Sequence, residues 1–421
     1  MRMQDNNEST DPIIIEQNLQ DWVMTKVDEW ADYYEMNYAE KHQEYYRLWR
    51  GIWAASDKTR QAERSQIIAP ALQQAVESNV AEIEEATFGR GKYFDIKDNM
   101  GDSNTDDIVF LRNKLHEDFE IAKIRRDISE CIINSAVFGN GIGEVVLEEI
   151  NEMKPATEAV MEGAMEAVGV QVTKRTIVRL RPILPQNFRI DPTAANIDEA
   201  LGCAIDEFVG SHIVEQLQES GIYRDDYIGT ASDDFNIEAD QDLNVYQDDK
   251  TRLTKYYGLV PRHLLEEESD VPLDDGDSYY VEACVVIANK GTILKAEATP
   301  YMMKDRPVVA FPWDVVPSRF YGRGVCEKGY NSQKALDAEL RARIDALALT
   351  VHPMLAMDAT RIPRGTKPEI RAGKILLTNG DPKEIINPFN FGNVSQITFA
   401  QAQALQTMVQ QSTGAVDSSG V

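Results

Sequence analysis

The stretch from Pro317 to Val351 limits the fold of this chain more than any other. Large aliphatic residues recur there at steps of three or four, the spacing of one helix face: Leu336, Leu340, Ile344, Leu347 and Val351. Alanines on the other faces favour a helix and let a neighbouring backbone approach closely. Pro353 ends the helix, because the residue before a proline is pushed out of the α region. We therefore predict a long helix that packs against others.

A turn-rich segment with five prolines follows between residues 353 and 397, and a second helix is predicted from Thr398 to Ser412. The second helix contains no charged side chain, and one of its faces is apolar while glutamines cover the rest. An uncharged polar face suits a surface against neighbouring helices or a DNA channel. The predicted order in this part of the chain is thus a helix, a compact insert and a second helix.

This order, together with YGRGVCEKGYNSQKALDAELRARIDALALTVHPML at residues 321–355, resembles the stem region of portal proteins of tailed bacteriophages. In that family an aromatic-Gly-x-Gly turn leads into a long helix with a Gln and then an Arg-to-Asp tail, matched here by Gln333 and by Arg341 to Asp345. The resemblance is most specific over residues 305–352, and weaker agreement in the order of parts extends it from about residue 15 to residue 421.

The resemblance implies an α+β, portal-like fold with a helical and β-containing wing, a two-helix stem and a small α/β clip. We expect a disordered segment 1–14, a wing over 15–320 that is helical over 15–137 and α+β over 138–320, and a first stem helix over 321–352. The clip would cover 353–397, the second stem helix 398–412 and the start of a tunnel loop 413–421. No segment up to Val421 corresponds to the family's crown, so we expect the crown to be absent.

The resemblance also implies a function without catalysis or a cofactor. A dodecameric ring at one capsid vertex would pass double-stranded DNA inward during packaging and outward during ejection. Its expected partners are the terminase large subunit, the tail adaptor protein, the major capsid and scaffolding proteins, and DNA bound without sequence specificity. The expected location is the virion, and the host cytoplasm during assembly.

The candidate site residues fall into three groups by position. Channel or inter-subunit candidates of the stem are Lys334, Asp337, Arg341, Arg343, Asp345, Gln401, Gln406 and Gln410. Clip candidates for contact with a partner or DNA are Arg361, Arg364, Lys367, Arg371 and Lys374. Tunnel-loop candidates are Thr413, Gly414, Asp417, Ser418 and Ser419. Pairing between subunits is the favoured role for the charged stem residues, and solubility or partner docking is favoured over DNA contact for the clip.

The net charge of −27 argues against a general polyanion-binding surface. Residues 321–421 contain 11 Lys and Arg and 9 Asp and Glu, so the excess negative charge lies in the first 320 residues. A conduit should not be strongly basic, because each neutralised phosphate adds salt-dependent affinity for DNA. The charge pattern is therefore compatible with a conduit and unfavourable for a sequence-specific DNA binder.

Hydrophobic periodicity predicts the local elements of the remaining chain. Helices are expected over 13–53, 69–87 and 105–137, the last with Leu111, Leu115, Phe119, Ile124, Ile128 and Ile132 inward. FGNGIG at 138–143 then ends that helix and opens a strand, the reverse of a phosphate-binding loop. Residues 155–169 suggest a short Met-rich helix between strands, and hairpins are expected over 279–298 and around Asn379-Gly380.

Two other functions are open on the sequence. A metal-dependent hydrolase or nuclease could use the acidic clusters Asp233-Asp234, Asp248-Asp249, Glu266 to Glu268 and Asp274-Asp275, although their spacing fits no calcium loop and a solvated surface is favoured. A capsid or tail adaptor without a channel is the second alternative. None of the five histidines has metal-ligand spacing, no nucleophile elbow occurs, and the four cysteines show no paired spacing.

Overall fold

The computed structural model describes residues 18–53, 65–89, 91, 94–97, 105–161, 164–229, 250–269, 271–273, 276, 278–301, 305–351, 355–357, 386–388 and 396–414. The chain divides into two compact units, Met1–Gln43 with Glu82–Gly324, and Glu44–Ala81 with Val325–Val421. Both units combine helices and strands, which agrees with the expected α+β class. Among the described helices, none is long and apolar enough to cross a membrane.

The first helical region begins with α1 (Leu19–Tyr34), whose buried stripe is Leu19, Val23, Val27, Trp30 and Tyr34. It continues through one π-helical segment, Glu35–Ala39, into α2 (Glu40–Arg50). The helix predicted over 13–53 is thus confirmed for residues 19–50, and residues 13–17 lie outside the described part. The π segment shows no sequence signal, because it changes the hydrogen-bond step without interrupting the helix.

Three helices follow, α3 (Ala71–Phe88), α4 (Thr105–Ile121) and α5 (Ile124–Phe138). The single helix predicted over 105–137 is wrong, because Lys123 adopts a left-handed conformation at φ 56° and separates α4 from α5. The break changes the phase of the apolar stripe, so Ile124 and Ile132 are buried whereas Leu111, also predicted inward, is 49% exposed.

A five-stranded antiparallel sheet forms the centre of the first unit, in the order β3-β4-β5-β6-β7. Its strands are β3 (Phe188–Ile190), β4 (Gly202–Gly210), β5 (Lys250–Pro261), β6 (Tyr280–Ala288) and β7 (Thr292–Ala298). Alternate side chains are buried on both faces, and α1 and the short α7 (Arg262–Glu268) cover one of them. The predicted hairpin over 279–298 is confirmed as β6 and β7. The helix α6 (Ser211–Glu219) follows β4 directly.

A long hairpin, β1 (Asn140–Met161) with β2 (Ala164–Ile183), leaves this centre, and β8 (Val308–Pro312) pairs with residues 140–144 of β1. Gly139, at φ 100°, ends α5 as FGNGIG predicts. The helix predicted over 155–169 is wrong, because residues 155–161 and 164–169 continue the two paired strands. Helix propensity is a weak prior, and strand pairing overrides it here, even with register shifts between Ala156 and Thr157 and between Ala159 and Met161.

The base of the hairpin is tied to the five-stranded sheet through a buried acid, Glu144. Its carboxylate accepts hydrogen bonds from Tyr257 Oη at 3.0 Å and Lys255 Nζ at 3.2 Å. Lys255 also pairs with Glu207 at 2.8 Å. Because a buried charge is costly unless paired, this cluster fixes the root of the hairpin on the sheet.

The second unit contains two longer helices, α8 (Val325–Val351) and α9 (Gln396–Thr413), at the positions predicted for the two stem helices. Between them in sequence, β9 (Leu355–Met357) pairs with β10 (Ile386–Pro388). The hairpin predicted around Asn379-Gly380 lies outside the described residues.

Candidate functional site

The helices α8 and α9 pack against each other in antiparallel directions. Gly329, near the start of α8, lies against Thr413 at the end of α9, while Arg343 stacks its guanidinium 4.9 Å from the ring of Phe399 near the start of α9. An added Cβ at Gly329 would lie 3.0 Å from Thr413 Cγ2, so glycine permits the close approach. This pair shares a core with the start of α3 and the segment before it, formed by Ala69, Ala71, Leu336, Ala402 and Val409.

A buried polar network joins α8 to the start of α3. Gln333 is fully buried; its Oε1 accepts the N–H of Leu72 at 3.2 Å and its Nε2 donates to the carbonyl of Ala69 at 2.7 Å. Asp337 accepts the N–H of Ala69 at 2.8 Å and a second bond from Gln333 at 3.0 Å. Since the first amides of a helix lack partners inside it, Gln333 caps α3 from a distant part of the sequence.

The environment of Asp337 acts in two directions on its carboxyl group. Burial raises its pKa, while the bonds from Ala69 and Gln333 and the nearby Arg341 and Lys334 lower it, and the net shift is upward. Asp337 therefore serves as an internal contact of the chain rather than as a surface charge.

The other charged stem candidates also bond within their own chain. Lys334 forms an ion pair with Glu44, and Asp345 accepts the N–H of Ser65 at 2.8 Å. Arg341 donates to the carbonyl of Ile67 at 2.8 Å and lies 4.3 Å from the ring of Trp53. These partners come from residues 44–69, more than 260 positions away in sequence. No sequence pattern predicts the contacts.

One surface of α8 is not covered by any of the described residues. Four alanines at steps of three and four form an exposed stripe: Ala335, Ala338, Ala342 and Ala346. Ile344 and Leu347 are also exposed, towards the end of the helix. The exposed stripe and these two residues lie on different sides of α8, so the helix has two surfaces available to neighbours.

On α9 the exposed surface is uncharged, as the sequence indicates. Gln401 and Gln406 are exposed and Gln410 is half-buried, while Phe399 and Met408 are each more than half exposed. Apolar residues and amides therefore alternate on this surface, and no charged side chain interrupts it.

Thr413 does not lie in a loop, although the sequence places it at the start of one. It is the last residue of α9, it is buried, and its hydroxyl donates to the carbonyl of Val409 at 2.8 Å. Asn79 donates a further bond to the Thr413 carbonyl at 3.1 Å. Gly414 follows at φ 75°, the left-handed position at which glycine ends helices.

The remaining candidates lie outside the described residues. These are the clip residues Arg361, Arg364, Lys367, Arg371 and Lys374, and the tunnel-loop residues Asp417, Ser418 and Ser419.

The acidic clusters fall in two classes. Asp233-Asp234, Asp248-Asp249 and Asp274-Asp275 lie outside the described part, whereas Glu266 to Glu268 lie on α7. There Glu266 pairs with Arg262 at 2.6 Å and Glu268 with Arg224 at 3.3 Å. Within the described ranges, no group of three His, Cys, Asp or Glu residues could hold a metal ion.

Comparison with known proteins gives one family. Among curated proteins no sequence matches the chain. The family model described as "Phage SU10 portal protein" matches residues 129–420, from within α5 through both helices of the second unit and over more than half of the chain. The chain therefore belongs to the Phage SU10 portal protein family.

Proposed function

We propose that copies of this chain form a ring-shaped channel at one capsid vertex, through which double-stranded DNA is packaged and ejected. The family match supports a portal role and a place in the virion capsid. In this proposal the ring is a dodecamer that docks the terminase large subunit during packaging and the tail adaptor afterwards.

Within the ring, α8 and α9 are the stem helices and the segment between them, residues 353–397, is the clip. The antiparallel packing of α8 on α9 supports this assignment, because it brings the chain back to the end of the stem from which it left. The wing is assigned to residues 15–320, and residues 44–81 of that range group with α8 and α9 in the second compact unit. The tunnel loop begins after Thr413.

The single observation that carries the ring is the exposed alanine stripe of α8. Exposed small side chains let two helix backbones approach closely, and a row of four at steps of three and four matches the groove that another helix fills. In a cyclic ring each subunit presents one surface to a different surface on the next. The stripe at Ala335–Ala346 and the surface of Ile344 and Leu347 on another side of the helix provide two such surfaces.

The candidate residues divide accordingly. Asp337, Arg341, Lys334 and Asp345 hold the subunit together, because their side chains bond to residues 44–69 of their own chain. The proposed lining and inter-subunit residues are then Arg343, Gln401, Gln406 and Gln410. An amide-rich lining suits a channel that must pass DNA without holding it, since amides displace no counterions from phosphates.

For the clip, we propose that Arg361, Arg364, Lys367, Arg371 and Lys374 dock an acidic surface of the packaging motor or adaptor. Replacing all five by Ser should abolish docking of the terminase large subunit to preformed rings without changing the rings. Docking that persists unchanged would contradict this role.

The ring itself is tested by negative-stain electron microscopy of the purified chain. Annular particles with a central hole are expected for the wild type. The double variant Ala338→Lys, Ala342→Lys should form none while keeping its helix content, because two charged, bulky side chains would block close helix packing. The matched control Ala338→Ser, Ala342→Ser keeps the side chains small and should still form rings.

Two results would contradict the proposal. A wild type that remains monomeric under packaging-like salt and concentration would overturn the ring. Intact rings in the lysine variant would show that the alanine stripe is not the contact between subunits.

A further inference from the structure

The β1–β2 hairpin presents strand edges that no described strand covers. In the sheet order β2-β1-β8, β2 is an edge strand, and β8 with the preceding Pro307 reaches only residues 140–145 of β1. With about 3.3 Å per residue, the 22 residues of β1 span about 70 Å. A two-stranded hairpin is only marginally stable alone, and exposed edges are templates for pairing with another chain.

The faces of the hairpin differ in their cover. Ile150 and Ile177 lie on one face and pack with Phe119, Ile124 and Ile128 of α4 and α5. On the opposite face Leu147 is paired with Val178, and Met153 with Val172, and all four are exposed, Met153 by 75%. The hairpin therefore has support from its own chain on one face, and no described strand pairs with β2 on its outer edge or with β1 beyond residue 145.

Charge is segregated between the two strands. Residues 144–153 of β1 contain four Glu and no basic residue, whereas residues 172–181 of β2 contain four Lys or Arg and no acidic residue. Within the hairpin the two sets pair, with Arg179 2.7 Å from Glu148 and Lys174 3.1 Å from Glu149. Outside the hairpin, Arg175 pairs with Glu117, Arg181 with Glu207, and the buried Glu144 with Lys255. The acidic side chains thus lie on β1 and the basic side chains on β2.

This segregation determines which edges of two copies can meet. Opposite charges across a strand pair are favourable and like charges directly opposite are unfavourable. Two β1 edges, or two β2 edges, would therefore repel, whereas a β1 edge attracts a β2 edge. A two-fold dimer through like edges is disfavoured, and a head-to-tail contact is favoured.

Rotational symmetry determines whether β1 of one copy and β2 of the next run parallel or antiparallel. In a cyclic ring all hairpins point the same way along the axis, so β1 of one copy lies beside β2 of the next. Since β1 and β2 run in opposite directions within each hairpin, the two neighbouring strands are antiparallel, as in the hairpin itself.

We propose that the β1 edge of each subunit, from Leu147 to Met153, pairs with the β2 edge, Val172 to Arg181, of a second copy of this chain. The hairpins then form one sheet that continues from subunit to subunit. This contact rests on the proposed ring and names a surface that is separate from the stem helices.

A charge swap tests the contact. The variant Glu148→Arg, Glu149→Lys, Lys174→Glu, Arg179→Glu exchanges the charges of the two strands. Opposite charges still face each other within each swapped hairpin and between two swapped copies. Where a swapped copy meets a wild-type copy, however, like charges face each other. The swapped chain should form rings alone, and each mixed junction should be disfavoured about tenfold.

The readout is the composition of rings assembled from equal amounts of ¹⁵N-labelled wild type and unlabelled swapped chain, measured by native mass spectrometry. The control swap Lys26→Glu, Glu29→Lys exchanges an exposed ion pair of α1 and should mix with the wild type at random. A smaller swap, Glu149→Lys with Lys174→Glu, changes side chains that are 63% and 76% exposed and leaves Arg179, near Asp127 of α5, unchanged. Rings should again separate into wild-type and swapped populations, but to a lesser degree. Because both side chains are exposed, we expect this variant to fold.

Rings that segregate into wild-type and swapped populations support the contact. Rings of random composition for both swaps overturn it, and so does a folded swapped chain that forms no rings by itself. Failure of the wild type to form any ring overturns the proposed function, and the contact falls with it, whereas random mixing overturns the contact alone.

Discussion

Gln333 gives the sharpest test of how the second unit is held together. Its side chain is fully buried and makes three hydrogen bonds, to Leu72 N–H, to the carbonyl of Ala69 and to the carboxylate of Asp337. The change Gln333→Ala removes all three and leaves their partners buried without replacement. We expect this single substitution to loosen the start of α3 from α8.

The magnitude follows from the bonds removed. A neutral hydrogen bond contributes about 1 kcal/mol net, and a bond to a charged group about 1.5–3 kcal/mol. Two neutral bonds and one to a carboxylate, together with the small cavity left behind, give a loss of about 4 kcal/mol in the free energy of unfolding. The variant Gln333→Leu fills the space without the bonds, so it should lose about 3 kcal/mol.

The assay is urea unfolding followed by circular dichroism, with hydrogen exchange of the first α3 amides as a local readout. The control is Gln73→Ala, which removes one hydrogen bond to Glu77 on the solvent side of α3 and should cost about 0.5 kcal/mol or less. If Gln333→Ala and Gln73→Ala lose the same stability within about 1 kcal/mol, the assignment of the network as a structural contact is refuted.

Three further predictions concern single groups. Burial lowers the pKa of His42 to about 4 from 6.5, so stability should fall by about 3 kcal/mol as the pH drops between these values, and His42→Gln should remove that loss in a pH series of urea unfolding. The pKa of Asp337 is raised, so its ionisation costs stability as the pH rises from 3.8 through the raised pKa; Asp337→Asn should gain stability relative to the wild type over that rise, measured in the same way. Lys123 has a left-handed φ of 56°, which glycine adopts without strain and a β-branched residue does not. In thermal unfolding, Lys123→Gly should therefore raise the free energy of unfolding by about 1 kcal/mol, whereas Lys123→Val should lower it.

The helices of the second unit were predictable because each has a strong helical period and clear stop signals. The sequence places the first near 321–352 and the second near 398–412, against Val325–Val351 and Gln396–Thr413 in the structure. Differences of a few residues arise at helix ends, where few hydrogen bonds decide the boundary. Apolar residues that recur with a period of 3.6 therefore predict both that these helices exist and roughly where they begin and end.

The hairpin was predictable only at its root. EVVLEE and TKRTIVRLRPI alternate as strands do, but residues 155–169 are rich in Ala, Met and Glu, which favour a helix locally. Pairing of β1 with β2 is decided by register along the whole hairpin, and short-range propensity does not contain that information.

The roles of the charged stem residues show a second limit. Spacing along α8 correctly groups Lys334, Asp337, Arg341 and Asp345 on related faces, yet it cannot say what covers those faces. The covering residues, which include Glu44, Ser65 and Ile67, lie more than 270 positions before their partners on α8, and the last two bond through backbone groups. Backbone groups are the same in nearly every residue, so the sequence does not indicate which of them a side chain will bond. Such contacts are seen only in the structure.

The apolar stripe of α8 connects this limit to assembly. Leu336 is buried and Leu340 partly so against the packed core, whereas Ile344 and Leu347 continue the same stripe and are exposed, Leu347 by 53%. Among the described residues, the packed core that covers the first half of the stripe includes Leu340 but neither Ile344 nor Leu347. Since burying a leucine or isoleucine side chain contributes about 1.5–3 kcal/mol, an exposed continuation of a buried apolar stripe favours a partner helix. The exposed Phe399 lies at the same end of the helix pair, beside Arg343. In the proposed ring, this exposed part of α8 is the surface that a neighbouring subunit would cover.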